Sequence, residues 1–149
     1  MIKLYQTATL LTAVFLMLSF QAAAQTRTET RVTVVHASTE SNRVDPGLSA
    51  IISELRSVFR YTSYRLVTSQ DMNLAFNQEG RVNLPGGRRL VITPLGMDGQ
   101  RISYQVNVLK NKRSVFQTRI LLRNNASVTI GGPQFNRGVI LFNIRGRLR

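Results

Sequence analysis

Apolar and polar residues alternate with a period of two through most of the chain after Gly80. This period is typical of strands that bury one face and expose the other. Signals for tight turns separate the runs, among them Asp98-Gly99 and the polar segment 110–113. The pattern predicts an antiparallel meander of five or six strands. The alternating runs lie at 82–84, 90–92, 102–108, 116–122, 128–130 and 140–145.

The segment before Gly80 predicts a strand followed by a helix. β-branched residues alternate at 31–37, which indicates a strand. Asp45 and Pro46 are typical of a helix start, as N-cap and first helical residue. Apolar residues then recur at every third or fourth position, so we expect one helix over 46–59. Its apolar stripe consists of Leu48, Ile51, Ile52, Leu55 and Phe59.

The two parts of the chain together predict an α+β fold. Strands at 61–67 and 72–76 complete one strand–helix–strand unit, and the antiparallel β-meander follows it. The single helix packs its apolar stripe on one sheet face, and the other face is polar. Neither half is large enough to bury much apolar surface alone, so we expect a single β-rich domain over 25–149.

The first 24 residues predict a secretory signal peptide. A positive start at 1–3 precedes an apolar run at 8–20, and three alanines at 22–24 fit a cleavage site between Ala24 and Gln25. The apolar run is shorter than the roughly 20 residues that span a membrane, and an uncleaved anchor is the alternative. We therefore expect an exported chain, periplasmic or extracellular, with no transmembrane span after cleavage.

Few residues in the chain suit catalysis. It contains no cysteine and one histidine, His36, so a zinc site with several His or Cys ligands cannot be built. The seven carboxylates lie far apart in sequence. Their spacing does not indicate the pair of carboxylates that a two-carboxylate hydrolase would need. His36 is in phase with Val32 and Val34, which favours a partly buried structural role. We expect no enzymatic activity, no metal site and no cofactor.

The segment Gly86-Gly87-Arg88-Arg89 allows two interpretations. Glycines beside arginines suggest a backbone cradle for phosphate, but such a cradle normally opens a helix. The residues that follow are β-like, and Pro94 would break a helix there. Pro85 and Gly86 suit the central positions of a type II turn, so the hairpin interpretation is favoured. Gly131-Gly132-Pro133 is likewise interpreted as a strand end.

The net charge of +13 is distributed unevenly along the chain. Residues 25–80 carry six arginines and six acids, whereas residues 81–149 carry 13 Arg and Lys against one acid, Asp98. This asymmetry is typical of a protein with an anionic partner. A basic surface that only aids solubility is the alternative, and the sequence leaves both open.

Alternation places polar side chains of several strands on one face. If the strands around 101–107, 117–123 and 143–147 pair as neighbours, they form a surface of Arg, Asn, Gln and Ser without a carboxylate, suited to phosphate, carboxylate or sulfate groups. The candidate anion- or partner-binding residues are Arg101, Gln105, Asn107, Gln117, Arg119, Arg123, Asn143, Arg145 and Arg147. Arg88 and Arg89 form a secondary basic turn.

The segment 120–132, ILLRNNASVTIGG, resembles a strand–turn–strand run of outer-membrane secretins. That run reads as an apolar strand, an Asn/Gly turn and a β-branched strand ending in Gly-Gly, and residues 128–132 match its ending. The resemblance covers 13 of the 149 residues. The chain is too short for a secretin pore domain with its N-terminal modules, and Arg119 and Arg123 suit a membrane-facing strand poorly. The resemblance implies an envelope-associated β module.

Two functional hypotheses follow from the sequence. The first is an exported, non-enzymatic module that binds an anionic envelope component or an acidic protein through the Arg-bearing sheet face. Nucleic acid is disfavoured as the partner, because aromatic residues are not interleaved with these arginines. The second is a structural or assembly subunit of a cell-envelope, secretion-type complex, which forms a homo- or hetero-oligomer through a strand edge.

Overall fold

The computed structural model describes residues 23–149. The predicted signal peptide lies outside the described residues except for Ala23 and Ala24. A 3₁₀ helix (Pro46–Leu48) and an α-helix, α1 (Ile52–Val58), lie between the first two strands. The strands are β1 (Arg27–Ser38), β2 (Ser63–Ala75), β3 (Gly80–Leu84), β4 (Arg88–Asp98), β5 (Arg101–Lys110), β6 (Arg113–Arg123), β7 (Ala126–Phe135) and β8 (Gly138–Leu148).

Two four-stranded antiparallel sheets pack face to face. Sheet 1 has the strand order β2-β1-β8-β7, and sheet 2 has the order β3-β4-β5-β6. Alternate residues of both sheets point into the space between them and form the main core. Phe142 of sheet 1 and Tyr104 of sheet 2 are fully buried there. Because each such side chain stabilises the fold by about 1.5–3 kcal/mol, this layer holds the two sheets together.

One contact between the sheets depends on a glycine. The hydroxyl groups of Tyr104 and Thr30 lie 3.0 Å apart across the core, which satisfies both buried polar groups. Gly146 of β8 lies beside Tyr104, and a Cβ atom at this position would come within 2.5 Å of the Tyr104 hydroxyl. A residue without a side chain therefore lets β8 approach the Tyr104 ring.

The predicted meander is confirmed only in part. β3 to β6 follow one another as neighbours in sheet 2. The chain then leaves this sheet at Asn124-Asn125, and both later strands join sheet 1, where β8 pairs with β1 and β7. The segment 120–132 thus spans the crossing, with its two strands in different sheets. The prediction of a single continuous meander is wrong, because β8 pairs with β1, the first strand of the described chain.

The hairpin tips of sheet 2 have the conformations that their sequences predict. Gly86 has a φ of 76°, the positive value that the third residue of a type II turn requires. In Asp98-Gly99 the glycine has a φ of 59°, and both residues of Asn111-Lys112 have positive φ, as in a type I′ turn. The hairpin interpretation of Gly86-Gly87 is therefore confirmed.

The predicted helix over 46–59 is shorter than expected and interrupted. The 3₁₀ helix and α1 take its place. Asp45 makes no capping hydrogen bond through its side chain, and its carboxylate instead accepts a hydrogen bond from the backbone N–H of Leu66 at 2.9 Å. This contact ties the segment to β2. Pieces this short are not stable alone, so packing rather than capping maintains them.

The helical segment packs on the outer face of sheet 1, as the sequence predicts. Leu48 and Leu55 are fully buried there, against Val35, Tyr64 and Leu141. This second core is separate from the one between the sheets. Sheet 1 is consequently covered on both faces in this region, whereas the outer face of sheet 2 has no helix over it among the described residues.

Two strand boundaries differ from expectation. The strands predicted at 61–67 and 72–76 are one continuous strand, β2. β7 does not end at Gly131-Gly132-Pro133 but continues to Phe135, with irregular pairing to β8 along the way. Within residues 23–149, no helix has the length and apolar character needed to cross a membrane.

Candidate functional site

Six of the nine predicted binding residues lie together on the outer face of sheet 2. They belong to the neighbouring strands β5 and β6, which pair in antiparallel register. The three cross-strand pairs are Arg101 with Arg123, Gln105 with Arg119, and Asn107 with Gln117. We call these six residues the basic face.

The apolar residues between these positions fix the register of the basic face. Ile102, Tyr104 and Val106 are fully buried in the core, so the intervening residues of β5 point outward. A register slip of one residue would bury the arginines, and a buried charge without a partner is strongly unfavourable. The alternation in the sequence therefore places the basic face.

The amides and the guanidinium groups of the basic face differ in their surroundings. Gln105 donates through Nε2 to the carbonyl of Thr118 at 3.2 Å, and Asn107 accepts through Oδ1 from the Ser114 hydroxyl at 2.6 Å. Both amides are half-buried and tied to β6. The three arginines are exposed, so their donors are available to an incoming anion.

The other three predicted residues lie on the opposite side of the molecule. Asn143, Arg145 and Arg147 are on β8, and they share the outer face of sheet 1. The expectation that they continue the surface of β5 and β6 is wrong, because β8 pairs in the other sheet. Asn143 is also buried, and its Nδ2 donates to Thr129 Oγ1 at 2.9 Å and to Glu54 Oε1 at 3.3 Å.

Charges on the outer face of sheet 1 are paired with carboxylates or amides. Arg31 bonds both carboxylate oxygens of Asp71, at 2.6 and 2.9 Å. Its hydrogen bond holds the pKa of Asp71 below the ordinary value of 3.8. Arg147 Nε lies 3.7 Å from Glu29, and Arg145 donates to an amide oxygen at 3.0 Å. This face is therefore largely neutralised.

Arg88 and Arg89 do not form a common basic turn. Arg88 is half-buried at the end of the core, and its Nη1 donates to the carbonyl of Gln134 in β7 at 2.9 Å. Arg89 is exposed on the outer side of sheet 2, where it pairs with Leu109 of β5. The predicted secondary basic turn is thus divided between the two sides of β4, and only Arg89 lies on the side of the basic face.

The positive charge of sheet 2 is largely uncompensated. Residues 80–123 carry nine Arg and Lys and one acid, a net charge of +8. In the described part of the chain, Arg101, Arg119 and Arg123 make no ion pair. Arg101 and Arg123 face one another directly, and like charges in that position destabilise a sheet. The basic face is a place where an anion would relieve repulsion.

A shallow hollow adjoins the Arg101–Arg123 pair. It is lined by these two arginines, Leu121, Asn124 and the turn at 98–100. Leu121 is 42% exposed, and it has the same outward phase as Arg119 and Arg123. The predicted site contains polar residues only and so omits Leu121, although the alternation along β6 gives Leu121 this outward phase. Asp98 contributes the one carboxylate of the hollow among residues 23–149.

His36 contributes to the packing of the fold. It is half-buried, and its Nε2 lies 2.9 Å from the carbonyl oxygen of Phe135. The two rings meet edge to face, with centroids 5.8 Å apart. Among the residues that the structure describes, no three His, Asp or Glu side chains come close enough to hold a metal ion.

The chemistry of the basic face is the basis for a functional assignment. No protein-family model, curated protein or solved structure matches this chain. An exposed guanidinium group presents donors in a planar fork that fits carboxylate, sulfate and phosphate oxygens. Three such groups on two adjacent strands suit the reversible binding of an anionic partner.

Proposed function

We propose that this protein is an exported, non-enzymatic module that binds a polyanionic partner through the basic face. The observation that carries the proposal is the direct pairing of Arg101 with Arg123. Among residues 23–149 neither guanidinium group has a carboxylate oxygen within 4.0 Å, and the nearest acid in the ladder is Asp98, the partner of Arg101 on β4. Two facing like charges give the fold no stability. An anion between them replaces repulsion by charge-assisted hydrogen bonds. Export rests on the predicted signal peptide over 1–24.

The contrast between the two outer faces supports this proposal over an ordinary solvated surface. The outer face of sheet 1 carries both signs of charge, and its arginines have partners such as Asp71 and Glu29. The six residues of the basic face carry positive charge only, and Asp98, opposite Arg101 on β4, is the one acid within the four strands of sheet 2. Arg56, Arg60 and Arg65 also make no ion pair in the described part, but they lie on α1, the following loop and β2 and form no cross-strand pairs with one another.

The spacing of the arginines indicates an extended partner. Arg119 lies four residues from Arg123 on the same side of β6, which is about 14 Å at the rise of a strand. When both side chains are extended outward, their guanidinium groups lie farther apart than a single phosphate or sulfate group spans. The partner therefore carries anionic groups that repeat over this length, as an acidic polysaccharide, a lipid surface or an acidic protein segment does.

A second candidate function is that of an assembly subunit. β6, which carries Arg119 and Arg123, is an edge strand of sheet 2 and is 11 residues long. Exposed strand edges pair readily with strands of other chains. This observation favours a partner that contacts the strand edge as well as the charges on the face.

Binding to heparin, a sulfated polysaccharide, tests the proposal. The affinity of the protein is expected to fall steeply as NaCl rises, because counterions compete for the arginines. A triple variant, Arg101→Gln, Arg119→Gln and Arg123→Gln, is expected to bind less tightly. The slope of log affinity against log salt should decrease by about one for each arginine that is lost.

A second triple variant provides the matched control. Arg56→Gln, Arg60→Gln and Arg65→Gln remove the same charge from exposed positions away from the basic face. This variant is expected to keep most of the affinity for heparin. Salt-independent retention, or an equal loss of affinity in both triple variants, would overturn the proposal.

A further inference from the structure

The four edge strands of the two sheets differ in their ability to accept another strand. β3 has only five residues, and β7 contains Pro133 within a stretch of irregular pairing. β2 is long, but its charges are one arginine and one aspartate, Asp71, which is paired. β6 has 11 residues without Pro or Gly, and its pairing with β5 is regular from Phe116 to Arg123. β6 is thus the longest edge with charge of one sign.

We propose that β6 accepts an acidic, extended segment of a partner protein as a fifth strand of sheet 2. This inference rests on the proposed function and narrows the polyanionic partner to an acidic polypeptide. An edge strand presents a row of N–H and C=O groups directed away from its sheet. Within residues 23–149, the β6 backbone makes one hydrogen bond beyond its pairing with β5, accepted by Thr118 O from Gln105 Nε2.

The charge of β6 selects the kind of strand that can join it. The strand carries Arg113, Arg119 and Arg123 and no acid. Two copies of β6 paired edge to edge would bring three arginines against three, which is unfavourable. A joining strand with carboxylates on its outer face gains energy from Arg119 and Arg123, which share the outer face of β6. The edge therefore disfavours a second copy of this chain and favours an acidic segment.

The alternation along β6 defines the pattern of the partner segment. Arg119, Leu121 and Arg123 point outward at successive alternate positions, and Leu121 is 42% exposed between the two charges. A matching strand places carboxylates at positions i and i+4 and an apolar residue at i+2. The two positions between them continue the inner face beside the buried Ile120 and Leu122, where β-branched residues fit.

A capped heptapeptide with the sequence Ser-Glu-Thr-Val-Thr-Glu-Ser has this pattern. The matched control peptide is Ser-Thr-Glu-Val-Glu-Thr-Ser, which keeps the composition and charge but changes the spacing of the carboxylates. We expect the protein to bind the first peptide roughly tenfold more tightly, because only that peptide places a carboxylate opposite each of Arg119 and Arg123. Binding of the first peptide is also expected to slow amide hydrogen exchange along β6.

Backbone methylation of the peptide separates strand addition from simple charge attraction. In a strand beside β6, the N–H groups of alternate residues point toward β6. N-methylation of the residues whose N–H groups point toward β6 should abolish binding. N-methylation of the residues whose N–H groups point away should leave most of the binding. Equal effects of the two methylation patterns would overturn strand addition.

Charge reversal provides a test in the opposite direction. The double variant Arg119→Glu, Arg123→Glu is expected to stop binding the acidic peptide. It is expected to bind the analogue in which lysines replace the glutamates. An unchanged circular dichroism spectrum shows that the variant is folded. If it does not fold, the double variant Arg119→Gln, Arg123→Gln takes its place, and that variant is also expected to stop binding the acidic peptide.

The outcomes distinguish the two proposals. If neither peptide nor heparin binds, the proposed function fails. If heparin binds, but the two peptides bind equally and exchange along β6 is unchanged, only the strand addition fails. If sedimentation shows that the protein dimerises through β6 instead, a second copy of this chain occupies the β6 edge. This result would contradict the proposal that the edge binds an acidic segment.

Discussion

Arg101 of β5 and Arg123 of β6 face one another on the outside of sheet 2, as direct partners in the ladder between the two strands. Within residues 23–149, neither guanidinium group has a carboxylate oxygen within 4.0 Å. Both side chains are exposed, and Arg101 points outward because the next residue of β5, Ile102, is fully buried in the core. This pair therefore costs stability, and it belongs to the surface that we propose binds an anion.

Removal of one member of this pair should stabilise the fold. We expect Arg123→Gln to raise the free energy of unfolding by about 0.2–1 kcal/mol at low salt, because facing like charges are destabilising. The gain should shrink as NaCl screens the repulsion. Urea unfolding at two salt concentrations measures both effects, with Arg60→Gln as the control. A destabilised Arg123→Gln protein would show that the pair does not repel.

Asp98 should weaken the binding of anions at the hollow beside Arg101 and Arg123. Its carboxylate lies among the residues that line this hollow, where it opposes an incoming anion. We expect Asp98→Asn to raise the affinity for heparin, with a larger gain at low salt. Asparagine also suits the turn, so the fold should be unaffected. An unchanged or lower affinity would place the bound anion away from this hollow.

Glu54 should be important for stability rather than for binding. It is on α1, and its carboxylate accepts hydrogen bonds from Ser127, Thr129 and Asn143 at 2.8–3.3 Å. We expect Glu54→Ala to lower the free energy of unfolding by about 1–3 kcal/mol, because it removes an acceptor from the buried Asn143 amide. Arg56→Ala on the same helix is the control. Thermal unfolding measures the difference, and equal effects of the two changes would contradict the role of Glu54.

The ion pair of Arg31 and Asp71 should give a small pH dependence. The hydrogen bond from Arg31 lowers the pKa of Asp71 in the folded protein. Asp71 therefore contributes stability above its ordinary pKa of 3.8, and the contribution is lost as the pH falls through the lower folded pKa. Both side chains are largely exposed, so we expect at most about 1 kcal/mol.

An NMR pH titration of the Asp71 carboxyl carbon checks this pair. Arg31→Gln should return the pKa of Asp71 toward its ordinary value, whereas Arg60→Gln should leave the titration unchanged. If the Asp71 titration is the same in Arg31→Gln and in the unmodified protein, the hydrogen bond does not set the pKa.

Local signals in the sequence predicted the elements of the fold better than their assembly. Asp98-Gly99 and the segment 110–113 each form the expected hairpin tip, because turn conformation is decided by neighbouring residues. Asn124-Asn125 has the same turn character, yet there the chain crosses between sheets. Pairing of β8 with β1 joins the two ends of the chain, and no local pattern encodes such a partner.

The same distinction explains which candidate site residues were placed correctly. Arg101 and Arg119 lie on adjacent strands joined by a short hairpin, so alternation alone places them on one face. Asn143 belongs to a similar polar alternation on β8, but it is buried and donates hydrogen bonds to Glu54 and Thr129. Alternation separates the two faces of a strand, and it does not show which of them another element will cover.

The most direct test of the central claim is a titration with a heparin hexasaccharide, followed through the NMR signals of the arginine Nε–Hε groups. The basic face predicts that the signals of Arg101, Arg119 and Arg123 shift first and saturate together. The signals of Arg31 and Arg147, which are paired on the outer face of sheet 1, should stay in place. Larger shifts at Arg31 and Arg147 than at the three arginines of sheet 2 would contradict the account.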